Sequence, residues 1–86
     1  MNVIWKFPAE KTKEFQRLLM PSGAQVLSIQ FQGEELFIFA LVDPEAKKEG
    51  RILQIFATGE LVENQGIFLG TFQLHGEAFV FHAFIK

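Results

Sequence analysis

Apolar residues along this chain recur with a period of two, and several runs are apolar on both faces. That pattern belongs to β-strands: alternating runs sit half-buried, and two-faced runs sit at the centre of a sheet. Over 2–7, Val3, Trp5 and Phe7 alternate with Asn2, Ile4 and Lys6, and Pro8 is expected to close the run. Over 24–32, Leu27, Ile29 and Phe31 point one way, and Ser28, Gln30 and Gln32 the other. Gly33 and Glu34 make a short turn into 35–42, which is apolar on both sides, so 31–36 reads as a hairpin link.

The polar stretch 43–50 opens on Asp43-Pro44 and ends on Gly50, a residue that admits positive φ at a return. With a strand at 51–58, the segment 36–58 is expected to be one long hairpin with a charged tip. Thr58-Gly59-Glu60 and Glu63-Asn64-Gln65-Gly66 bracket an irregular segment. A strand follows at 67–74, with Gly70 marking a bulge or a close backbone approach. His75-Gly76 then turns the chain into a last two-faced strand, 77–85.

Residues 9–20 leave two readings open. Pro8 at a first helical position, an early Glu10, and Phe15, Leu18 and Leu19 on one side describe a helix. Equally, 15–20 reads as an edge strand that ends at Pro21, with Ser22-Gly23 as its turn. The expected fold is all-β: a single small antiparallel sandwich or barrel of about seven short strands over 1–86, with a short helix near 9–14 as the open alternative.

Composition sharpens this picture in two ways. A chain of 86 residues buries only about 60% of its extended surface and is marginal alone. There is no cysteine to staple it, so oligomerisation is the expected reinforcement. Eleven phenylalanines point the same way, because the two-faced runs 36–42 and 78–85 need cover from a second sheet or a second subunit. The net charge of −2, with no basic stripe, argues against long nucleic acid. No apolar stretch approaches the roughly 18 residues that span a bilayer, so a soluble, intracellular chain without membrane contact is expected.

Catalytic constellations are not visible. His75 and His82 lack a specified nucleophile or carboxylate partner, and Gly66, Gly70 and Gly76 lack phosphate-loop spacing. The acidic pairs Glu34-Glu35 and Glu60/Glu63 fall in turns, where carboxylates are normally solvated. No enzyme, cofactor or metal is expected. Trp5, Arg17 and Arg51 form the more useful set, since aromatic faces stack on bases and guanidinium groups grip phosphates.

Several segments are familiar in combination: Ile4-Trp5-Lys6-Phe7-Pro8, Met20-Pro21-Ser22-Gly23-Ala24, Leu27-Ser28-Ile29-Gln30-Phe31-Gln32, Ala40-Leu41-Val42-Asp43-Pro44, Gly70-Thr71-Phe72-Gln73-Leu74-His75-Gly76 and Val80-Phe81-His82. In this order they resemble a family of small proteins frequent in bacteriophage and prophage genomes. The resemblance covers nearly the whole chain, departs from it around 9–14 and after Thr58, and brings no assigned functional residues. It implies a phage-encoded accessory protein and favours an edge strand at 15–20. The expected function is non-enzymatic counter-defence in the host cytoplasm, by sequestering a nucleotide-derived immune signal between subunits of a homo-oligomer. Trp5, Arg17, Arg51, His75 and His82 are its candidate ligand-binding residues. Direct inhibition of a host protein, through a sheet edge or a phenylalanine patch, is the alternative; a virion or morphogenesis role is the third.

Overall fold

A computed structural model describes residues 1–12, 14–74 and 79–86. It contains seven strands: β1 (Val3–Ala9), β2 (Phe15–Pro21), β3 (Gln25–Gln32), β4 (Glu35–Val42), β5 (Lys48–Ala57), β6 (Ile67–Gln73) and β7 (Val80–Ile85). They form two antiparallel sheets, a first of order β1-β4-β3 and a second of order β2-β5-β7-β6. The fold is an all-β sandwich, and no helix occurs among the described residues.

The two-faced runs lie where their pattern demands. β4 is the central strand of the first sheet, and β7 is an inner strand of the second. β4 turns Leu36, Ile38, Ala40 and Val42 inward, each essentially without exposure. Leu36 and Ile38, with Ile29 of β3, meet Leu53 and Ile55 of β5, Phe72 of β6, and Ala83 and Ile85 of β7 across the inter-sheet core, while Ala40 and Val42 cluster with Met20 and Ala24. Phe31 and Phe72 contact edge to face, with ring centroids 5.7 Å apart, joining β3 to β6. Gly70 lets the sheets close at this point: a Cβ there would lie 3.0 Å from Ile29 Cγ2. The register also shifts between Phe68 and Gly70, so this glycine marks both a bulge and a close approach.

The Gly33-Glu34 loop joins β3 to β4 with two residues between the paired Gln32 and Glu35. Gly33 has φ 65°, as the first central position of a type II′ hairpin turn requires.

Three expectations change, and one open alternative is decided. First, 36–58 is not a hairpin. β4 already has β1 and β3 on its two sides, so the chain must leave the sheet after Val42 and start β5 in the other one. Asp43 shapes this crossover by accepting the Glu45 amide on Oδ1 (3.1 Å) and the Ala46 amide on its carbonyl (3.0 Å). Gly50 consequently lies inside β5 instead of at a return, and the guanidinium of Arg17 occupies the space its side chain would need.

Second, Leu27 does not share the inward face of Ile29 and Phe31. A bulge between Val26 and Ser28 shifts the alternation, bringing Val26 against the core and leaving Leu27 44% exposed. Third, β1 runs past Pro8 to Ala9. An edge strand tolerates proline where the missing N–H faces away from its neighbour. Fourth, no helix forms in the described part of 9–14, and 15–20 is the edge strand. Gln16, only 6% exposed, gives the chain there another partner: its Oε1 accepts the Glu10 amide (2.7 Å) and its Nε2 donates to the Glu10 carbonyl (2.9 Å). The expected turn at His75-Gly76 and the opening of the last strand at 77–78 lie outside the described residues.

Candidate functional site

The alternation of β2, β5, β7 and β6 sends a second apolar set to the solvent side of the second sheet. One phenylalanine comes from each strand. Phe15 packs edge to face on Phe56 (6.0 Å between centroids), Phe56 on Phe84 (5.9 Å) and Phe84 on Phe68 (5.5 Å). These T-shaped contacts suit the ring quadrupole, and they weld the four strands from outside the core. The middle of the row is covered, with Phe56 5% exposed, whereas Phe15 and Phe68 at its ends are 52% and 58% exposed.

The cover is the irregular segment 58–66, and a buried polar side chain holds it. Gln54 lies between Phe15 and Phe84 in register and is 4% exposed. Its Oε1 accepts the Gly66 amide at 2.7 Å and its Nε2 donates to the Asn64 carbonyl at 3.2 Å. Glu60 anchors the start of the segment through Oε1, which accepts the Ala57 amide at 2.9 Å. A depression of about 520 Å³ remains between this segment and β2, floored by Phe15, Ile52 and Phe56 and walled by Leu61. Its lining carries the carboxylates of Glu14, Glu60 and Glu63 and one cation, Lys86.

His82 faces the same solvent side and is fully engaged. Thr58 Oγ1 donates to the Val80 carbonyl (3.1 Å), which uses its only proton. Its hydroxyl lies 2.8 Å from His82 Nε2, and Thr71 Oγ1 pairs with Nδ1 at 3.0 Å. Two hydroxyls thus hold the ring across β7, β6 and the 58–66 segment.

The remaining candidates fall elsewhere. Arg17 lies on the edge strand β2, over Gly50. It shares the solvent side with His82, but register places the two about 13 Å apart along the strands and about 10 Å apart across them. Arg51 donates through Nε to the Lys86 main-chain oxygen (2.6 Å) and through Nη1 to the Ala24 carbonyl (3.1 Å). It ties β5 to the start of β3 and to the end of β7. Trp5 belongs to the first sheet, where its ring lies 6.4 Å from that of Phe7. His75 lies outside the described residues. Trp5, Arg17, Arg51 and His82 therefore do not converge within one chain.

The sequence reading missed Gln16 and Gln54, and with them the loop geometry. Gln54 did carry a signal: strand alternation puts it on one face with Ile52 and Phe56, so a polar amide sits in an apolar row. The phenylalanine ladder was foreshadowed only as an excess needing cover.

Comparison with known proteins adds a family. The model of the domain of unknown function DUF7352 matches residues 1–86, and the chain belongs to that family. No curated protein and no solved structure matches it.

Proposed function

We propose that this member of the DUF7352 family is a non-enzymatic binding protein, phage-encoded, that acts in the host cytoplasm by occupying the surface of a host protein. The observation carrying this reading is the aromatic row on the solvent side of the second sheet, which ends beside an open depression with Phe15 half in water and Leu61 82% exposed. An apolar floor of this kind, next to polar walls, is the usual form of a protein-docking site.

Charge supports the choice of partner. The carboxylates of Glu14, Glu60 and Glu63 outnumber the single Lys86 around the depression, so a partner offering an apolar side chain flanked by lysine or arginine is complementary. The engagement of His82 by two threonine hydroxyls supports a non-enzymatic role. Nucleotide sequestration has less behind it, because Trp5, Arg17, Arg51 and His82 do not converge on one place within the chain.

The test is capture of a partner from host lysate by the native chain and by Phe15→Ser, with both proteins shown to be folded. The expected result is one stoichiometric partner that the variant holds about tenfold more weakly or worse. Equal capture by the two proteins, or no stoichiometric partner, would refute the reading.

A further inference from the structure

The sandwich leaves one strand edge unusually clear. β1 has β4 on one side and, among the described residues, no strand on the other. Two observations fix which of its backbone groups face outward. The two-residue loop Gly33-Glu34 makes Gln32 and Glu35 a hydrogen-bonded pair, so the even-numbered residues 36–42 of β4 turn their amides and carbonyls toward β1. Their partners are Val3, Trp5, Phe7 and Ala9. Ile4, Lys6 and Pro8 therefore face the open side. Pro8 agrees, since the N–H it lacks is one that β4 would not have used.

The side chains around this edge are apolar on both faces. Val3 and Trp5 are each 37% exposed on the inner side, and Ile4 is 62% exposed on the outer. The other edges carry features that discourage pairing. β3 and β6 are bulged, and β2 ends in Pro21 with the guanidinium of Arg17 over Gly50. A lysine guards many natural edges, but Lys6 is turned away from this one. Its Nζ reaches back across β4, 4.4 Å over the Phe37 ring, and donates to Gln32 Oε1 at 2.7 Å.

We propose that two copies of the chain pair through β1, antiparallel, about a two-fold axis at Trp5. In this register Ile4 lies opposite the partner's Lys6, and the two exchange both amide-to-carbonyl hydrogen bonds, twice over by symmetry. Trp5 faces its own copy in the closer, non-hydrogen-bonded pair, and Val3 faces the partner's Phe7. The exposed apolar side chains of the edge are covered, and Lys6 stands against the partner's Ile4. A register centred on Lys6 would oppose like charges, and one centred on Ile4 would depend on Asn2, which lies outside the strand. The product is one continuous six-stranded sheet, β3-β4-β1-β1-β4-β3, with the docking face of the second sheet left free on each copy.

Sedimentation velocity over a concentration series, with the emission of the single tryptophan read in parallel, tests this. The native chain is expected to form a dimer at high micromolar concentration, with Trp5 emission moving to shorter wavelength as it does. Ile4→Pro removes only an outward N–H and should keep the native circular dichroism while weakening the dimer by about tenfold or more. Trp5→Cys tests the register independently. The chain has no other cysteine, and residues opposed in a non-hydrogen-bonded pair have Cα atoms about 4.5 Å apart, within disulfide range. Trp5→Cys should therefore cross-link to itself far faster than an exposed control, Leu61→Cys. A native chain that stays monomeric, an Ile4→Pro dimer of unchanged strength, or equal cross-linking of the two cysteine variants would each overturn the proposal.

Discussion

Replacing Gln54 by methionine probes how the docking face is built. The substitution keeps the volume of the side chain and removes both amide contacts to the 58–66 segment. Two hydrogen bonds contribute about 1 kcal/mol each, and leaving the Gly66 amide without its acceptor adds about 1 kcal/mol more where water cannot reach it. The change should therefore cost about 2–3 kcal/mol. In a domain of this size each kcal/mol lowers Tm by about 4–8 °C, so a fall of about 8–24 °C is expected in thermal unfolding followed by circular dichroism. Glu60 still holds its end of the segment at Ala57, so the release should be local as well as global: limited proteolysis should gain a cut within 60–66 under conditions where the native chain resists. Gln54→Met with unchanged Tm and unchanged proteolysis would refute the claim that a buried amide fixes this segment, and with it the wall of the depression.

Two further outcomes follow from the packing. Ile38→Ala, at a position with no exposure in the inter-sheet core, should cost about 2–5 kcal/mol in urea unfolding; a cost under about 1 kcal/mol would mean that the core lies elsewhere. Gly50→Ala and Gly70→Ala should behave oppositely despite their shared place inside strands. The first meets only the movable guanidinium of Arg17 and should be neutral or stabilising by about 0.5–1 kcal/mol, while the second presses on Ile29 across the sheets and should destabilise by about 1 kcal/mol or more.

The strands were legible because each rests on a local pattern. Leu36 to Val42 is apolar on both faces, and only a central strand can cover both. The Gly33-Glu34 turn was legible for a similar reason, since a glycine at its first position fits the II′ geometry the two strands need. Pairing was not legible where it depends on distant partners. The polar run from Asp43 has the same composition whether the chain returns beside β4 or crosses to the other sheet, and what decides is that β1 and β3 already flank β4. The bulge that turns Leu27 outward is likewise set by register against β4, which alternation within 24–32 does not carry.

At the site, the residues chosen for ligand chemistry proved to have structural partners. Arg51 ties strand ends together, and His82 spans two threonines, because polar groups in so small a sandwich are drawn to its carbonyls and hydroxyls. The docking face instead came from residues whose meaning depends on neighbouring strands. Phe15, Phe56, Phe68 and Phe84 look alike in the sequence to the core rings Phe31 and Phe72. Only the sheet order separates the inner set from the outer.

Hydroxyl-radical footprinting of the chain, free and bound to its captured partner, tests the central claim most directly. It labels exposed aromatic and aliphatic side chains and so reports on the docking face itself. The account expects Phe15 and Leu61 to be strongly labelled in the free chain and protected in the complex, while the exposed Leu27 on the first sheet keeps the labelling it has in the free chain. Phe15 and Leu61 labelled as strongly in the complex as in the free chain would contradict it.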